Sequence, residues 1–286
     1  MAMINIGRTN KLKVLRKTDI GYFLDGETYG EIFLPGRSAP ADTKENDEID
    51  VFVYIGNEDK KLATTDIAYA EVGDYAFLKV SQVNDFGAFL DWGIPKQLMV
   101  PYKEQKPPLK QGQVCLVRIY LDEISGRIVA STRVNKWLSE ECPEDIKEGD
   151  EVDLLVCMQT DIGYKAIVNN SCWGVLYENE VFKDIRKGDR LIGYVKKIRE
   201  DRKIDLSLQR KGFDNLGDFA PVLLGLLEES GGFLPLNDSS PPEEIYDKLG
   251  VSKKTFKRAA GMLYKQHKIS FDNDGISLVE DKRGEE

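Results

Sequence analysis

Phe86 and Phe89 flank Gly87 in the octet NDFGAFLD, residues 84–91, and are the side chains of this chain best suited to hold a flat ligand. Two rings on one surface can stack unpaired nucleobases at about 1–3 kcal/mol each. Strict strand alternation sends residues three apart to opposite faces, so shared exposure calls for a bulge at the glycine. The alternative is a pair of core rings. Related octets, TDIGYFLD at 18–25 and TDIGYKAI at 160–167, offer Phe23 beside Tyr22, and Tyr164 beside Lys165. Two cationic stretches could attract phosphate. One is YVKKIREDRKIDLSLQRK at 194–211, with Lys196, Lys197, Arg199, Arg202, Lys203, Arg210 and Lys211. The other is SKKTFKRAAGMLYKQH at 252–267, with Lys253, Lys254, Lys257, Arg258 and Lys265, and Lys268 just beyond. Either could instead be a solvated surface, and the second could bind an acidic protein.

The same inventory argues against catalysis. A Ser-His triad or a histidine zinc site would have to use His267, the one histidine, and no GxxxxGK[ST] phosphate loop is present. Cys115, Cys142, Cys157 and Cys172 form no CxxC pair and read as buried, reduced thiols. No metal and no cofactor are expected. His267 closes a helix, where its charge suits the negative dipole end. Trp92 and Trp173 read as core or turn packing, and Trp137 lies in an acidic linker. No apolar run has signal-peptide or bilayer length, so a cytoplasmic protein is expected, with no membrane contact.

The elements that position the octets come in three copies. With Gly21, Gly87 and Gly163 as zero, Val14, Val80 and Val156 stand at −7, and Asp19, Asp85 and Asp161 at −2. Leu34, Val100 and Leu176 stand at +13, and Val53, Ile119 and Val195 at +32. Lys61, Arg127 and Lys203 follow at +40, then the hydroxyls Thr65, Ser131 and Ser207 at +44. One register fits all three. Each copy alternates apolar and polar residues and breaks at Asn-Asp, Gly or Ser-Gly, the pattern of four or five short strands in some 65 residues. A closed five-stranded barrel is the economical fold, because closure removes exposed edges.

KVSQVNDFGAFLDWGIPKQLMVPYKE at 79–104, followed by a glycine turn and VRIYLDEISGRIVAST, resembles the ribosomal protein S1-type RNA-binding domain, an OB-fold barrel. The second copy matches well, the first and third more loosely. Where that family carries a histidine in its third strand, this chain has Leu98-Met99-Val100-Pro101.

The C-terminal quarter differs in kind. GDFAPVLLGLLEESG reads as an amphipathic helix with Leu223, Leu224 and Leu227 on one face. SPPEEIYDKLG has a serine-proline start and a glycine stop. In the next helix Ser252 is the expected N-cap, with Phe256, Ala260, Leu263 and Tyr264 on its apolar side. KISFDNDGISLVE is a hairpin around Asn273-Asp274-Gly275. Three helices and a hairpin resemble a winged helix.

The expected fold is thus mostly β: three tandem S1-type OB-fold barrels at 1–66, 70–135 and 146–211, then a small α+β winged-helix domain at 216–281. This order resembles the conserved virulence factor B family. The resemblance implies a cytoplasmic RNA-binding regulator without catalytic activity. The net charge of −9 argues against a long duplex, yet residues 146–212 carry 13 basic and 12 acidic side chains, and local sign decides phosphate attraction. The expected partner is single-stranded RNA, with the ribosome or RNA-processing proteins as further partners and duplex DNA disfavoured. The action expected is post-transcriptional. The rivals are a winged-helix DNA-binding regulator and a protein-interaction adaptor.

Overall fold

The computed structural model describes residues 4–56, 60–178, 181, 184–208, 219–272 and 274–279. Arg210, Lys211, the 216–218 start of the expected first helix, and Asn273 lie outside the described residues. The chain divides into two compact units, Met1–Leu138 and Ser139–Glu286.

The first unit holds two closed five-stranded barrels. Barrel 1 consists of β1 (Thr9–Thr18), β2 (Gly21–Asp25), β3 (Glu31–Pro35), β4 (Glu48–Ile55) and β5 (Lys61–Thr64). Barrel 2 consists of β6 (Tyr75–Asn84), β7 (Gly87–Asp91), β8 (Leu98–Pro101), β9 (Val114–Leu121) and β10 (Ile128–Ser131). The second unit opens with barrel 3: β11 (Glu151–Thr160), β12 (Gly163–Val168), β13 (Cys172–Tyr177), β14 (Arg190–Ile198) and β15 (Ile204–Ser207). In each, the third strand meets the fifth in parallel and closes the sheet.

The repeated residues are those that closure requires. Gly21, Gly87 and Gly163 have φ of 156°, 152° and 142°, and a Cβ on any of them would stand 2.2–2.3 Å from the carbonyl oxygen of Leu34, Val100 or Leu176. Only glycine fits a strand that starts this close to its neighbour. Val14, Val80 and Val156 are at most 1% exposed. The backbone of each bonds both ways to a tight turn centred on Asn46, Gly112 or Gly188, all at positive φ. Two of the three repeated hydroxyls act as latches. Thr65 Oγ1 donates to the Ser38 carbonyl at 2.5 Å, and Ser131 Oγ donates to the buried Glu104 carboxylate at 2.7 Å.

A bulge exists in each barrel, but not at the glycine. Register shifts between Val14 and Arg16, Val80 and Gln82, and Val156 and Met158, in the first strand of each barrel. The glycine instead resumes the chain after a two-residue turn, a tighter solution than a bulge at that point.

Barrels 1 and 2 share a core. Phe52 and Tyr54 of β4 belong to the apolar cluster of barrel 2, with Phe52 set edge-on to Trp92 at 5.3 Å between ring centres. Backbone bonds Gly7 N to Val53 O (2.7 Å) and Val72 N to Gly7 O (2.8 Å) stitch the junction.

After barrel 3 come α1 (Phe219–Glu229), β16 (Phe233–Leu234), α2 (Pro242–Leu249), α3 (Lys253–Lys265), β17 (Ile269–Asp272) and β18 (Gly275–Leu278). Leu223 and Leu227 are fully buried, as are Phe256 and Ala260, with Leu263 close behind. Ser252 Oγ accepts the Thr255 N–H at 3.1 Å and caps α3, while Gly250 ends α2 at φ 66°. Tyr264 departs from expectation. It is 53% exposed, because eight residues on from Phe256 the helix has turned about 80° off the apolar stripe. Its ring lies against Phe271, 5.2 Å between centres. Within this unit, the Tyr246 hydroxyl of α2 donates to the Leu208 carbonyl, and the side chain packs on the core of barrel 3.

Candidate nucleic-acid interface

Phe86 occupies the turn between β6 and β7. Its N–H is held by Asn84 Oδ1 at 2.9 Å, the Asn84 carbonyl accepts from the Tyr102 hydroxyl at 2.6 Å, and the ring is 74% exposed. Phe89 lies half-buried on the outward face of β7, in register with Gln82 and Met99. Both rings line one cavity of about 480 Å³, with Met99 and Ile128 beside them, Trp92 beneath, and Lys96 and Arg127 supplying positive charge. This volume suits a small flat ligand.

The other two barrels present different surfaces at the same positions. Phe23 is covered by the Arg16 guanidinium, 3.7 Å from its ring centre, which Glu31 holds by an ion pair of 2.7 Å; Phe33 packs at 5.3 Å. Tyr22 is buried in the core of barrel 1. In barrel 3, Tyr164 packs on the core, and Lys165 lies 4.5 Å from the Trp173 ring with its ammonium on Glu140 at 2.9 Å. The aromatic pair is therefore an attribute of barrel 2. One shared feature escaped sequence reading: the residue before each glycine, Ile20, Phe86 or Ile162, is exposed at 73%, 74% and 55%. The signal was an apolar residue at −1 in all three octets, inside a turn where solvent-facing polar residues are the rule.

Several of the cations are held by partners along the chain. Arg199 binds Asp205 at 2.6 Å and donates to the Tyr177 hydroxyl. Arg202 donates to the Cys142 carbonyl at 2.7 Å, and Lys203 pairs with Asp201 at 3.0 Å. Lys253 donates to the Ser240 carbonyl at 2.8 Å, and Lys257 reaches Asp238 at 3.3 Å. Lys196 and Lys197 on β14, and Lys254 and Arg258 on α3, are exposed.

All four cysteines are buried and unpaired with one another. Burial pushes the Cys157 thiol up to about 12 and that of Cys172 to about 11, the reverse of a nucleophile's environment. Among the described residues no group of His, Cys, Asp or Glu converges as a metal site, and no helix is long and apolar enough to cross a membrane.

Comparison with known proteins fits this architecture. Residues 6–66 match the S1 domain, and residues 222–278 match the CvfB-like winged helix domain. The S1 match thus falls on the first copy, where the motif reading favoured the second. Along nearly its whole length the chain is 28% identical to YitL, an uncharacterized protein of Bacillus subtilis, covering 93% of this chain and 91% of that one. It is 28% identical to conserved virulence factor B of Staphylococcus haemolyticus (97% and 98% covered) and 27% identical to that of Staphylococcus aureus (96% and 94%). A crystal structure of a multidomain protein with nucleic acid binding domains from Streptococcus pneumoniae aligns at 25% identity and a TM-score of 0.38, over 96% of this chain and 98% of that one. The resemblance to the conserved virulence factor B family is borne out, as is a mostly β fold of three barrels followed by a winged helix. The S1 and winged-helix matches support nucleic-acid binding.

Proposed function

We propose that the chain, which is similar to the conserved virulence factor B proteins along most of its length, is a cytoplasmic, non-catalytic RNA-binding regulator that acts after transcription by changing access of ribosomes or nucleases to a transcript. The observation that carries this reading is the face of barrel 2. An exposed ring, Phe86, and a half-buried one, Phe89, border an apolar cavity with Lys96 and Arg127 at its margin. Unpaired bases offer π-faces to such a surface, whereas a duplex hides them. The exposed pairs Lys196 with Lys197, and Lys254 with Arg258, add phosphate contacts on barrel 3 and the winged helix. The anchored cations Lys165, Arg199, Arg202 and Lys203 shape the barrel that carries them.

Binding of single-stranded RNA, single-stranded DNA and duplex DNA, compared at one salt concentration, tests the reading. RNA is expected to bind tightest and duplex weakest. Preference for duplex DNA, lost on reversing Lys254 and Arg258, would make the protein a winged-helix DNA regulator instead.

A further inference from the structure

The cavity on barrel 2 has a second wall that barrel 2 does not supply. Tyr54, Ile55 and Gly56, at the end of β4 in barrel 1, line it together with the β7–β8 surface. We propose that barrel 1 has become the wall of a one-nucleotide slot, and that the tandem of barrels 1 and 2 recognises a single unstacked nucleotide between Ile55 and the Phe86–Phe89 face. The inference rests on the RNA-binding reading and deepens it.

Three observations carry it. First, barrel 1 is occupied at the positions where barrel 2 is open: Arg16, pinned by Glu31, covers Phe23, while the matching positions in barrel 2 are the uncharged Gln82, Gln97 and Phe89. Barrel 1 thus has a wall to offer and a covered face of its own. Second, the two walls are fixed to each other. Phe52, three residues before Ile55 on the same strand, packs edge-on against Trp92, the floor of the slot, and Trp92 O accepts the Tyr69 N–H at 2.9 Å in the connecting segment. A slot held by a shared core is preformed, so a ligand does not have to organise it. Third, the lining matches a nucleotide's two halves. Apolar and aromatic surface suits a base, and Lys96 and Arg127 in the same lining bring positive charge suited to a phosphate. A lipid tail would bring no anion to this positive lining, and an acidic peptide would present no flat surface to the rings. Because the wall blocks continuation of a stack, the slot takes one base and not a run.

The test uses the full-length protein and a short single-stranded RNA, with four variants checked for an unchanged melting temperature. Phe86→Ala removes the exposed ring. Ile55→Glu places a carboxylate on the barrel 1 wall, and Ile55→Ala removes the wall's apolar bulk should the first fail to fold. Ile124→Glu makes the same change at an isoleucine that is 94% exposed outside the slot. Phe86→Ala and Ile55→Glu should each weaken RNA binding by about fivefold to a hundredfold, the equivalent of one lost stack. Ile55→Ala should cost about fivefold, and Ile124→Glu less than about twofold. Titration with AMP and CMP separates the sources of the ligand: heat of binding that Ile55→Glu abolishes means the free nucleotide is recognised, and binding confined to the oligonucleotide, with the same loss at Ile55, means the slot serves a strand. If Phe86→Ala weakens binding but Ile55→Glu and Ile55→Ala behave like Ile124→Glu, barrel 1 is not a wall and only this inference falls. If the wild-type protein binds no single strand, the RNA reading itself falls.

Discussion

Gly87 reads in the sequence as the seat of a bulge that turns two rings outward, and the structure gives it a different role. It sits between the two rings that suggest RNA, yet its cause is steric: φ of 152° and a carbonyl oxygen 2.3 Å from where a Cβ would be. Gly87→Ala should therefore destabilise the protein by about 1–3 kcal/mol through backbone strain, read as a lowered melting temperature, while Phe86→Ala should leave that temperature nearly unchanged. The buried thiols make a second residue-level prediction. Burial raises Cys157 to about 12 and Cys172 to about 11, so at pH 8 almost no thiolate exists and solvent access is closed. Ellman's reagent should react slowly with native protein and with all four cysteines once it is unfolded; fast reaction of the native protein would refute the burial.

At the scale of elements, the repeated hydroxyl at the fifth strand is, in barrels 1 and 2, a latch to the segment after the third. In barrel 2 that latch is the buried Glu104, which accepts from Ser131 at 2.7 Å and from the Lys136 ammonium at 2.7 Å. Burial opposes its ionisation, but the hydrogen bonds from Lys136 and Ser131 and the charge of Lys136 outweigh it, and the carboxyl titrates below the ordinary value. A lowered folded-state value stabilises the fold above the unfolded-state pKa of about 4.3, and that contribution is lost as pH falls through the lower value. Glu104→Gln should cost about 1–2 kcal/mol at pH 7, and the difference from wild type should shrink below about pH 4. A constant difference across that range would show that the charge is not what holds the latch. Barrel closure was legible in the sequence because the same spacings recur three times, and each spacing answers a backbone demand. Asn46 was not, since asparagine there replaces the glycine of Gly112 and Gly188 and hides the third positive-φ turn. The site was legible in part. Phe86 and Phe89 stood out by type, but spacing within one octet is blind to partners outside it. Arg16 over Phe23, Glu140 on Lys165 and Asp205 on Arg199 all depend on strand pairing, and the wall at Ile55 depends on how barrel 1 meets barrel 2.

For the whole molecule, a net charge of −9 and affinity for RNA must be reconciled. Within about 8 Å at physiological salt a phosphate senses nearby side chains, not the total. The structure narrows the relevant cations, because Lys203, Arg199 and Lys257 already face Asp201, Asp205 and Asp238. Exposed at the surface are also Lys196 and Lys197 on β14, and Lys254 and Arg258 on α3. Each phosphate contact on a single strand contributes about −0.7 to the slope of log affinity against log salt. Reversing Lys196 and Lys197 to Glu, or Lys254 and Arg258 to Glu, should therefore lower RNA affinity and flatten that slope by up to about 1.4 in each variant. Reversing Lys11 and Lys13, which are equally exposed on β1 of the acidic first barrel, changes the net charge by the same amount and should barely move the slope. If the β1 variant flattens it as much as the others, total charge governs binding and the local argument fails. If only the α3 variant does, the phosphate contacts belong to the winged helix and β14 is a solvated strand.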